Sequence, residues 1–160
     1  MKHFIAAAAI GLFAAQVASA QAILTVVQND AAGNQVSKEY TAEQLLDMDP
    51  VEITTMNDYL DAPHVFTGPL LRDLIDTELK ATDSIEVTAL NDYKTKIPAA
   101  EALKYDVIVA VLQDGERMSL RDKGPFWVIY PMSDNPELQD PGFNDRLIWQ
   151  LSGVKLVPGE

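Results

Sequence analysis

The chain has 160 residues, no cysteine and a formal net charge of −12. Without a thiol it cannot form disulfides, iron–sulfur clusters or thiolate-bound metal sites. The acidic balance argues against nucleic acid and anionic membrane surfaces as partners, because both attract cationic patches.

The first twenty residues have the pattern of a cleavable secretory signal peptide. Lys2 supplies a positive start, residues 4–15 are apolar, and residues 18–20 form an Ala-Ser-Ala cleavage site. The apolar run is too short to span a bilayer. We therefore expect a periplasmic or secreted, soluble product, residues 21–160, that forms a single domain without membrane insertion. Without Lys2, its 11 basic and 24 acidic residues give a net charge of −13.

The remaining sequence predicts many strands and few, short helices. The strands are predicted at 22–28, 36–40, 51–56, 85–90, 94–97, 107–112, 126–130 and 153–157. A capping box at Thr41 and Gln44 opens one short helix, Gly68-Pro69 opens a second, and Pro98 opens a third. Because the run 107–112 is continuously apolar, we expect it to be a central strand buried on both faces. The pattern indicates an α+β fold with a mixed β-sheet or sandwich.

Catalytic and nucleotide-binding motifs are missing from the sequence. It has no glycine-rich nucleotide motif, no paired-histidine zinc motif and no nucleophile elbow. His64 is the single histidine of residues 21–160. We therefore predict neither catalytic residues nor a metal site.

A charged loop, residues 121–125, runs directly into the aromatic strand 126–130. Cations and backbone amides at a strand end suit a polar heterocycle or an anion. A turn with a surface ion pair explains the same residues equally well.

Five segments in order resemble the sulfite-oxidase-type molybdopterin-binding fold, and more closely the small exported proteins described as molybdopterin-dependent oxidoreductase-like. They are residues 66–75 (FTGPLLRDLI), 91–93 (NDY), 114–115 (DG), 120–131 (LRDKGPFWVIYP) and 146–151 (RLIWQL). The similarity runs from about residue 51 to residue 157. The resemblance implies a sulfite-oxidase-like fold and a site for a pterin.

The chain departs from the enzymes of that family at three positions. The enzymes place a cysteine thiolate on molybdenum after the strand that here reads 52–57, and this chain has no cysteine. They carry an arginine and a lysine, which hold the phosphate tail of molybdopterin, where this chain has Trp127 and Trp149. Replacing two cations with indoles favours a flat ring over a charged tail. The resemblance therefore implies a pterin held without molybdenum, with molybdopterin as the alternative cofactor.

The proposed ligand contacts follow from this comparison. Trp127 and Trp149 would stack on the ring, unless they are ordinary core aromatics. Arg121 and Arg146 would bind the pterin carbonyl and ring nitrogen, unless they form surface ion pairs. Lys123, in the same charged loop as Arg121, is a further candidate for binding the ligand.

Three further polar residues complete the predicted site. Asp92 would accept hydrogen bonds from the guanidine-like edge of the pterin, although turn chemistry explains it as well. Thr55 and Asn57 stand near the lost metal-ligand position and would line the pocket floor, or would only cap a strand end.

Cysteine-less members of the family resemble non-catalytic pterin-binding partners of membrane signalling proteins. The resemblance thus implies a ligand-dependent regulator that docks on the extracytoplasmic domain of a receptor, a kinase or a cyclic-di-GMP enzyme. We expect loops 121–125 and 133–144 to respond to the ligand. The alternatives are a periplasmic molybdopterin-dependent oxidoreductase and an interaction module without a ligand.

Overall fold

A computed structural model describes residues 21–159 of the chain, so the predicted signal peptide lies outside the described residues. The fold is α+β, with mostly strands and a few short helices. The strands are β1 (Ile23–Asn29), β2 (Gln35–Thr41), β3 (Val51–Thr55), β4 (His64–Gly68), β5 (Ser84–Ala89), β6 (Lys94–Pro98), β7 (Ile108–Ala110), β8 (Leu112–Gln113), β9 (Glu116–Arg117), β10 (Trp127–Ile129) and β11 (Leu151–Val157). The α-helices are α1 (Ala42–Leu46) and α2 (Ala99–Lys104), and 3₁₀ helices span Leu71–Leu74, Pro136–Gln139 and Pro141–Arg146. None of the helices in the described part of the chain is long and apolar enough to cross a membrane.

The largest sheet has five strands in the order β2-β1-β11-β5-β6. The β1 and β11 strands run parallel, with Thr25 opposite Gly153, and the other neighbours are antiparallel. On β1, the alternating side chains of Leu24 and Val26 are fully buried. The mixed sheet confirms the expectation from the sequence.

Two smaller sheets complete the fold, a four-stranded one in the order β3-β4-β8-β9 and the pair β7-β10. The β7-β10 pair is central. Val109 and Val128 face the core shared with the five-stranded sheet, whereas Ile108 and Trp127 face a second core with Phe66 of β4. The predicted central strand is therefore present and buried on both faces, but it is shorter than the run 107–112: only Ile108–Ala110 form β7, and Leu112 already begins β8 of the four-stranded sheet.

Hydrogen bonds between residues close in sequence form the β1-β2 turn and the N-terminal cap of α1. The Asp30 carboxylate accepts hydrogen bonds from the backbone amides of Ala32 and Asn34, which closes the β1-β2 turn. The capping box of α1 is present, because Thr41 Oγ1 accepts from the Gln44 amide and Gln44 Oε1 accepts from the Thr41 amide.

The helix predicted after Gly68-Pro69 is shorter than expected and is not an α-helix. Only the 3₁₀ helix Leu71–Leu74 forms there, and Ile75 is already extended. Leu70 makes a bridge to Ile108, and the Leu71 amide donates to the carbonyl of Val107. Beyond this turn, the Asp76 amide donates to the Gln28 side chain of β1 at 2.8 Å instead of to a helical carbonyl.

Candidate functional site

A cavity of about 230 Å³ opens beside the turn between β5 and β6. We call it the aromatic cavity. Its walls come from the segment after β3, the β5-β6 turn, the last 3₁₀ helix and the residues before β11. The lining residues are Tyr59, Ala89, Asn91, Tyr93, Asn144, Asp145, Leu147, Ile148, Trp149 and Gln150.

Three aromatic rings line the aromatic cavity. Tyr59 and Trp149 meet edge to face, with ring centroids 4.9 Å apart and an interplanar angle of 76°. Tyr59 is 36% exposed, Trp149 37% and Tyr93 49%. Partly exposed rings around an opening provide faces on which a flat ligand can stack.

The polar lining consists of one carboxylate and three carboxamides, those of Asp145, Asn91, Asn144 and Gln150. Asn144 Nδ2 donates to Asp58 Oδ2 at 2.6 Å, which fixes its orientation. Gln150 Nε2 donates to the carbonyl of Leu120 at 2.7 Å. Asn91 Oδ1 accepts from the Tyr93 amide at 3.2 Å, so all three carboxamides are held in place by neighbours.

The electrostatic environment of the aromatic cavity is negative. Its lining residues include Asp145 but no lysine, arginine or histidine. Burial raises the pKa of the Tyr59 phenol, and the charges of Asp145 and Asp58 raise it further. The phenol is therefore a hydrogen-bond donor at neutral pH, and the cavity suits a neutral or cationic ligand with N–H groups.

Trp149 and Trp127, the two predicted stacking residues, lie in different environments. Trp149 lines the aromatic cavity, whereas Trp127 is fully buried and makes an edge-to-face contact with Phe66 at 5.4 Å. The Trp127 indole N–H donates to the carbonyl of Leu147 at 2.9 Å. Because Leu147 lines the cavity, Trp127 supports the wall from the core side and does not face a ligand there.

Arg146 points away from the aromatic cavity. Its Nη1 atom lies 3.1 Å from Glu101 Oε1, and its guanidinium stacks 4.6 Å from the ring centre of Phe143. The phenol of Tyr130 donates to the other Glu101 oxygen at 2.9 Å, and burial raises the pKa of Tyr130 far above its usual value. Arg146 thus belongs to an ion pair that fixes the last 3₁₀ helix against α2.

The charged loop lies beside the aromatic cavity without lining it. Arg121 is exposed, and no hydrogen bond or ion pair joins it to the described residues. Lys123 places its ammonium 5.2 Å from the ring centre of Trp127. The Lys123 carbonyl accepts from the Gln150 amide at 3.0 Å, so the loop contacts the rim of the cavity through Gln150.

Asp92 is a turn residue in the structure. It is exposed, has φ = 65°, and its amide donates to the carbonyl of Ala89 at 3.0 Å. Its two sequence neighbours, Asn91 and Tyr93, line the aromatic cavity, but Asp92 does not. The carboxylate that does line the cavity is that of Asp145.

Thr55 and Asn57 organise the chain at the end of β3. Thr55 is fully buried, and its Oγ1 atom accepts from the Ser133 amide at 3.2 Å. Asn57 Oδ1 accepts from the Tyr59 amide at 2.9 Å, while the buried Nδ2 atom has no partner among the described residues. Both residues act as caps, and Asn57 also positions Tyr59 at the cavity.

Apart from Trp149, sequence reasoning missed every aromatic and polar residue that lines the cavity: Tyr59, Asn91, Tyr93, Asn144, Asp145 and Gln150. Asn91, Tyr93 and Gln150 lie inside segments of the family resemblance, but no ligand contact was predicted for them. Tyr59 lies outside all five segments, and Asn144 and Asp145 lie in a polar stretch typical of surface loops. No local pattern marks Tyr59, because it meets Trp149 only in the folded chain.

The residues present fit a pterin ring better than molybdopterin. The sequence offers no thiolate for molybdenum, and residues 21–159 hold no group of three metal-ligating side chains. No cation lines the aromatic cavity to bind a phosphate tail. A bare heterocycle requires neither, and the aromatic and carboxylate lining matches it.

No protein-family model matches the chain, and no curated protein matches it either. The resemblance to the sulfite-oxidase-type family therefore stays a prediction.

Proposed function

We propose that this chain is an exported, non-catalytic pterin-binding protein with a sulfite-oxidase-like fold. The observation that carries the proposal is the aromatic cavity, in which Tyr59 and Trp149 stand beside the Asp145 carboxylate with no cation in the lining. Aromatic faces favour a flat ring, and a carboxylate favours a ligand edge rich in N–H groups. A pterin combines both features.

The chemistry of the lining suggests how the ligand is held. Trp149 and Tyr93 offer faces to the bicyclic ring, and Asp145 accepts hydrogen bonds from its amino group and ring N–H. Asn91 and Gln150 provide carboxamides for the carbonyl and the remaining ring nitrogens. The volume of about 230 Å³ is below the range of about 300–1,000 Å³ typical of sites for drug-sized ligands, which favours a bare ring over a ring with a long tail.

The regulatory part of the proposal concerns a membrane receptor, a kinase or a cyclic-di-GMP enzyme, whose extracytoplasmic domain binds the loaded protein. Segment 133–144 supports a link between ligand and surface, because Asn144 at one end lines the cavity and Ser133 at the other bonds to Thr55. A ligand that shifts this segment, which contains one 3₁₀ helix and most of a second, would change the surface offered to the receptor. A coupling of about 1–3 kcal/mol, or about 5–150-fold in receptor affinity, is typical of such switches.

The ligand is tested on protein expressed with its own N-terminal segment and recovered from the periplasm. We expect the denatured protein to release a fluorescent pterin, and the empty protein to bind 6-hydroxymethylpterin in titrations. Guanosine, which has the same guanidine-like edge but carries a ribose, is the matched control and should bind more weakly. Stoichiometric molybdenum would instead support the oxidoreductase. A cavity that binds neither pterin nor molybdenum would leave the interaction module.

Regulation is tested by comparing receptor affinity for the empty and the loaded protein. An Asp145→Asn variant, which should bind pterin poorly, is the third form in the comparison. Equal receptor affinity for all three forms would contradict a switch and leave a carrier of the pterin. Cell fractionation and determination of the mature N-terminus test the proposed export and cleavage after Ala20.

A further inference from the structure

A second concave surface, separate from the aromatic cavity, runs along β3. We call it the β3 groove. Its volume is about 460 Å³, and it is bounded by β3, the end of α2 and the chain after β10. The lining residues are Val51, Glu52, Ile53, Thr54, Lys104, Tyr105, Asp106, Pro131, Asp134 and Asn135.

The β3 strand is an edge strand with one free side. It is the first strand of the four-stranded sheet and pairs only with β4. Beyond that ladder, the backbone groups of residues 51–54 have no hydrogen-bond partner in the described part of the chain. A row of such groups is a template for one more strand.

The β3 edge also lacks the features that block other edges of this protein. Proteins protect exposed edges with lysine and proline, which discourage pairing with another chain. The edge strand β2 carries Lys38, and the edge strand β6 carries Lys94, Lys96 and Pro98. In contrast, β3 reads Val-Glu-Ile-Thr-Thr, and its one charge is the carboxylate of Glu52.

The charges along the β3 groove favour a basic occupant. Lys104 donates to the Tyr105 phenol at 2.6 Å and lies 3.5 Å from Glu137, and Asp106 pairs with Arg72 at 2.9 Å. Those charges are compensated within the protein. The carboxylates of Glu52 and Asp134 form no ion pair with the residues described. The groove is thus left with two uncompensated negative charges.

We propose that the β3 groove binds an extended, basic segment of a partner protein, which adds a strand to the free edge of β3. In this mode, main-chain hydrogen bonds supply affinity and alternate side chains supply specificity. Glu52 and Thr54 are exposed on the same face of β3, whereas Ile53 is buried. A lysine or arginine of the added strand would lie opposite Glu52.

A second copy of this chain is a poor occupant of the same edge. Pairing β3 with β3 would bring two Glu52 carboxylates close together on chains that each carry a net charge of −12. Like charges facing each other across strands destabilise the pairing. The proposed binding mode goes beyond the pterin site and does not depend on it.

The probe is a fluorescent octapeptide of alternating lysine and valine, long enough to cover residues 51–54 of β3, which span about 14 Å. We expect saturable binding to the full chain, and slower amide hydrogen exchange confined to β3. Two control peptides are an alternating glutamate–valine peptide and a lysine–valine peptide with N-methylated alternate amides. Neither should bind, because the first has the wrong charge and the second cannot pair with a strand.

The matched protein variants are Glu52→Lys at the groove and Glu39→Lys on β2, which make the same charge change on two exposed strands. Glu52→Lys should weaken binding by about fivefold or more, since it turns an attractive rim charge into a repulsive one. Glu39→Lys should change peptide binding little.

The proposal would be overturned by no saturable binding, by equal binding of the N-methylated peptide, or by equal effects of both variants. Concentration-dependent dimers of the chain alone, with slower amide exchange in β3, would indicate self-pairing and overturn the proposal. Binding of 6-hydroxymethylpterin, measured in parallel, should be the same in both variants, so the two proposals fail independently.

Discussion

The ring of Tyr59 meets the indole of Trp149 edge to face, with centroids 4.9 Å apart, although the two residues are 90 positions apart in the chain. Asn57 holds the Tyr59 backbone through a hydrogen bond of 2.9 Å. The pair forms one corner of the aromatic cavity and joins the end of β3 to the approach to β11. Residues from distant parts of the sequence therefore make the proposed pterin site.

Replacing Trp149 with alanine should weaken pterin binding without unfolding the protein. Loss of an aromatic stacking face should lower affinity about tenfold, given about 1–3 kcal/mol per stacked base in other proteins. The loss of stability should be about 1 kcal/mol, because the side chain is 37% exposed and the contact with Tyr59 is removed. Leu120→Ala removes an exposed apolar side chain outside the cavity and is the control in ligand titrations and urea denaturation. Unchanged affinity in Trp149→Ala would argue against the stacking role.

Replacing Trp127 with alanine should instead destabilise the fold. The indole is fully buried and donates to the Leu147 carbonyl, so the loss should be about 3–5 kcal/mol in the free energy of unfolding. Trp127→Phe retains most of the packing and should cost less. Urea denaturation measures both. A Trp127→Phe variant of wild-type stability that has lost pterin binding would place this ring in direct contact with the ligand.

Asp145→Asn should weaken pterin binding and lower the pKa of Tyr59. The carboxylate accepts from the N–H groups of the proposed ligand, and its charge is one of the causes that raise the Tyr59 pKa. Ultraviolet absorbance during alkaline titration measures the ionisation of the phenol, and the Tyr59→Phe variant identifies its signal.

The control variant is Asp58→Asn. It also removes a nearby charge that raises the pKa of Tyr59, but Asp58 does not line the cavity. It should lower the pKa of Tyr59 with a smaller effect on pterin binding. Equal losses of pterin binding in both variants would contradict a direct contact of Asp145 with the ligand and would indicate either a general charge effect or a role of Asn144, which Asp58 orients.

Asp83→Asn should make the free energy of unfolding less sensitive to a fall in pH below about 4. The backbone amides of Gly159 and Lys80 donate to the Asp83 carboxylate at 2.9 and 2.8 Å, which holds its pKa below the usual 3.8. Since the folded pKa is depressed, this stabilisation is present above about pH 4 and disappears as pH falls through the folded pKa. The variant should lose about 1–3 kcal/mol at pH 7 and progressively less as the pH falls below 4. Urea denaturation at several pH values measures the difference, and an equal loss at all pH values would contradict the charge-based explanation.

Gly68→Ala should be much more destabilising than Gly153→Ala. A Cβ atom at Gly68 would lie 1.9 Å from the carbonyl oxygen of Val109, so β4 and β7 would have to separate. At Gly153 the nearest atom would be 3.6 Å away, in Thr88, which is an ordinary contact. We expect Gly68→Ala to cost at least about 3 kcal/mol in unfolding free energy and Gly153→Ala less than about 1. Similar melting temperatures for the two variants would contradict the close approach of β4 and β7.

The sequence by itself determined the features that depend on neighbouring residues. The capping box of Thr41 and Gln44 appears where it was predicted, and β7 forms within the predicted apolar run 107–112. The capping box depends on hydrogen bonds between residues three positions apart, and β7 on a continuous run of apolar residues. Both patterns can be recognised in the local sequence. The α+β class follows from the same patterns.

Only the tertiary structure decided which of the predicted residues line the aromatic cavity. Trp127 and Trp149 had the same predicted role, but pairing of β10 with β7 buries the first, and the turn before β11 exposes the second. Arg146 was predicted at the ligand and lies instead against Glu101 of α2. A local pattern predicts whether a side chain is buried. Which residues that side chain contacts depends on strand pairings between distant segments.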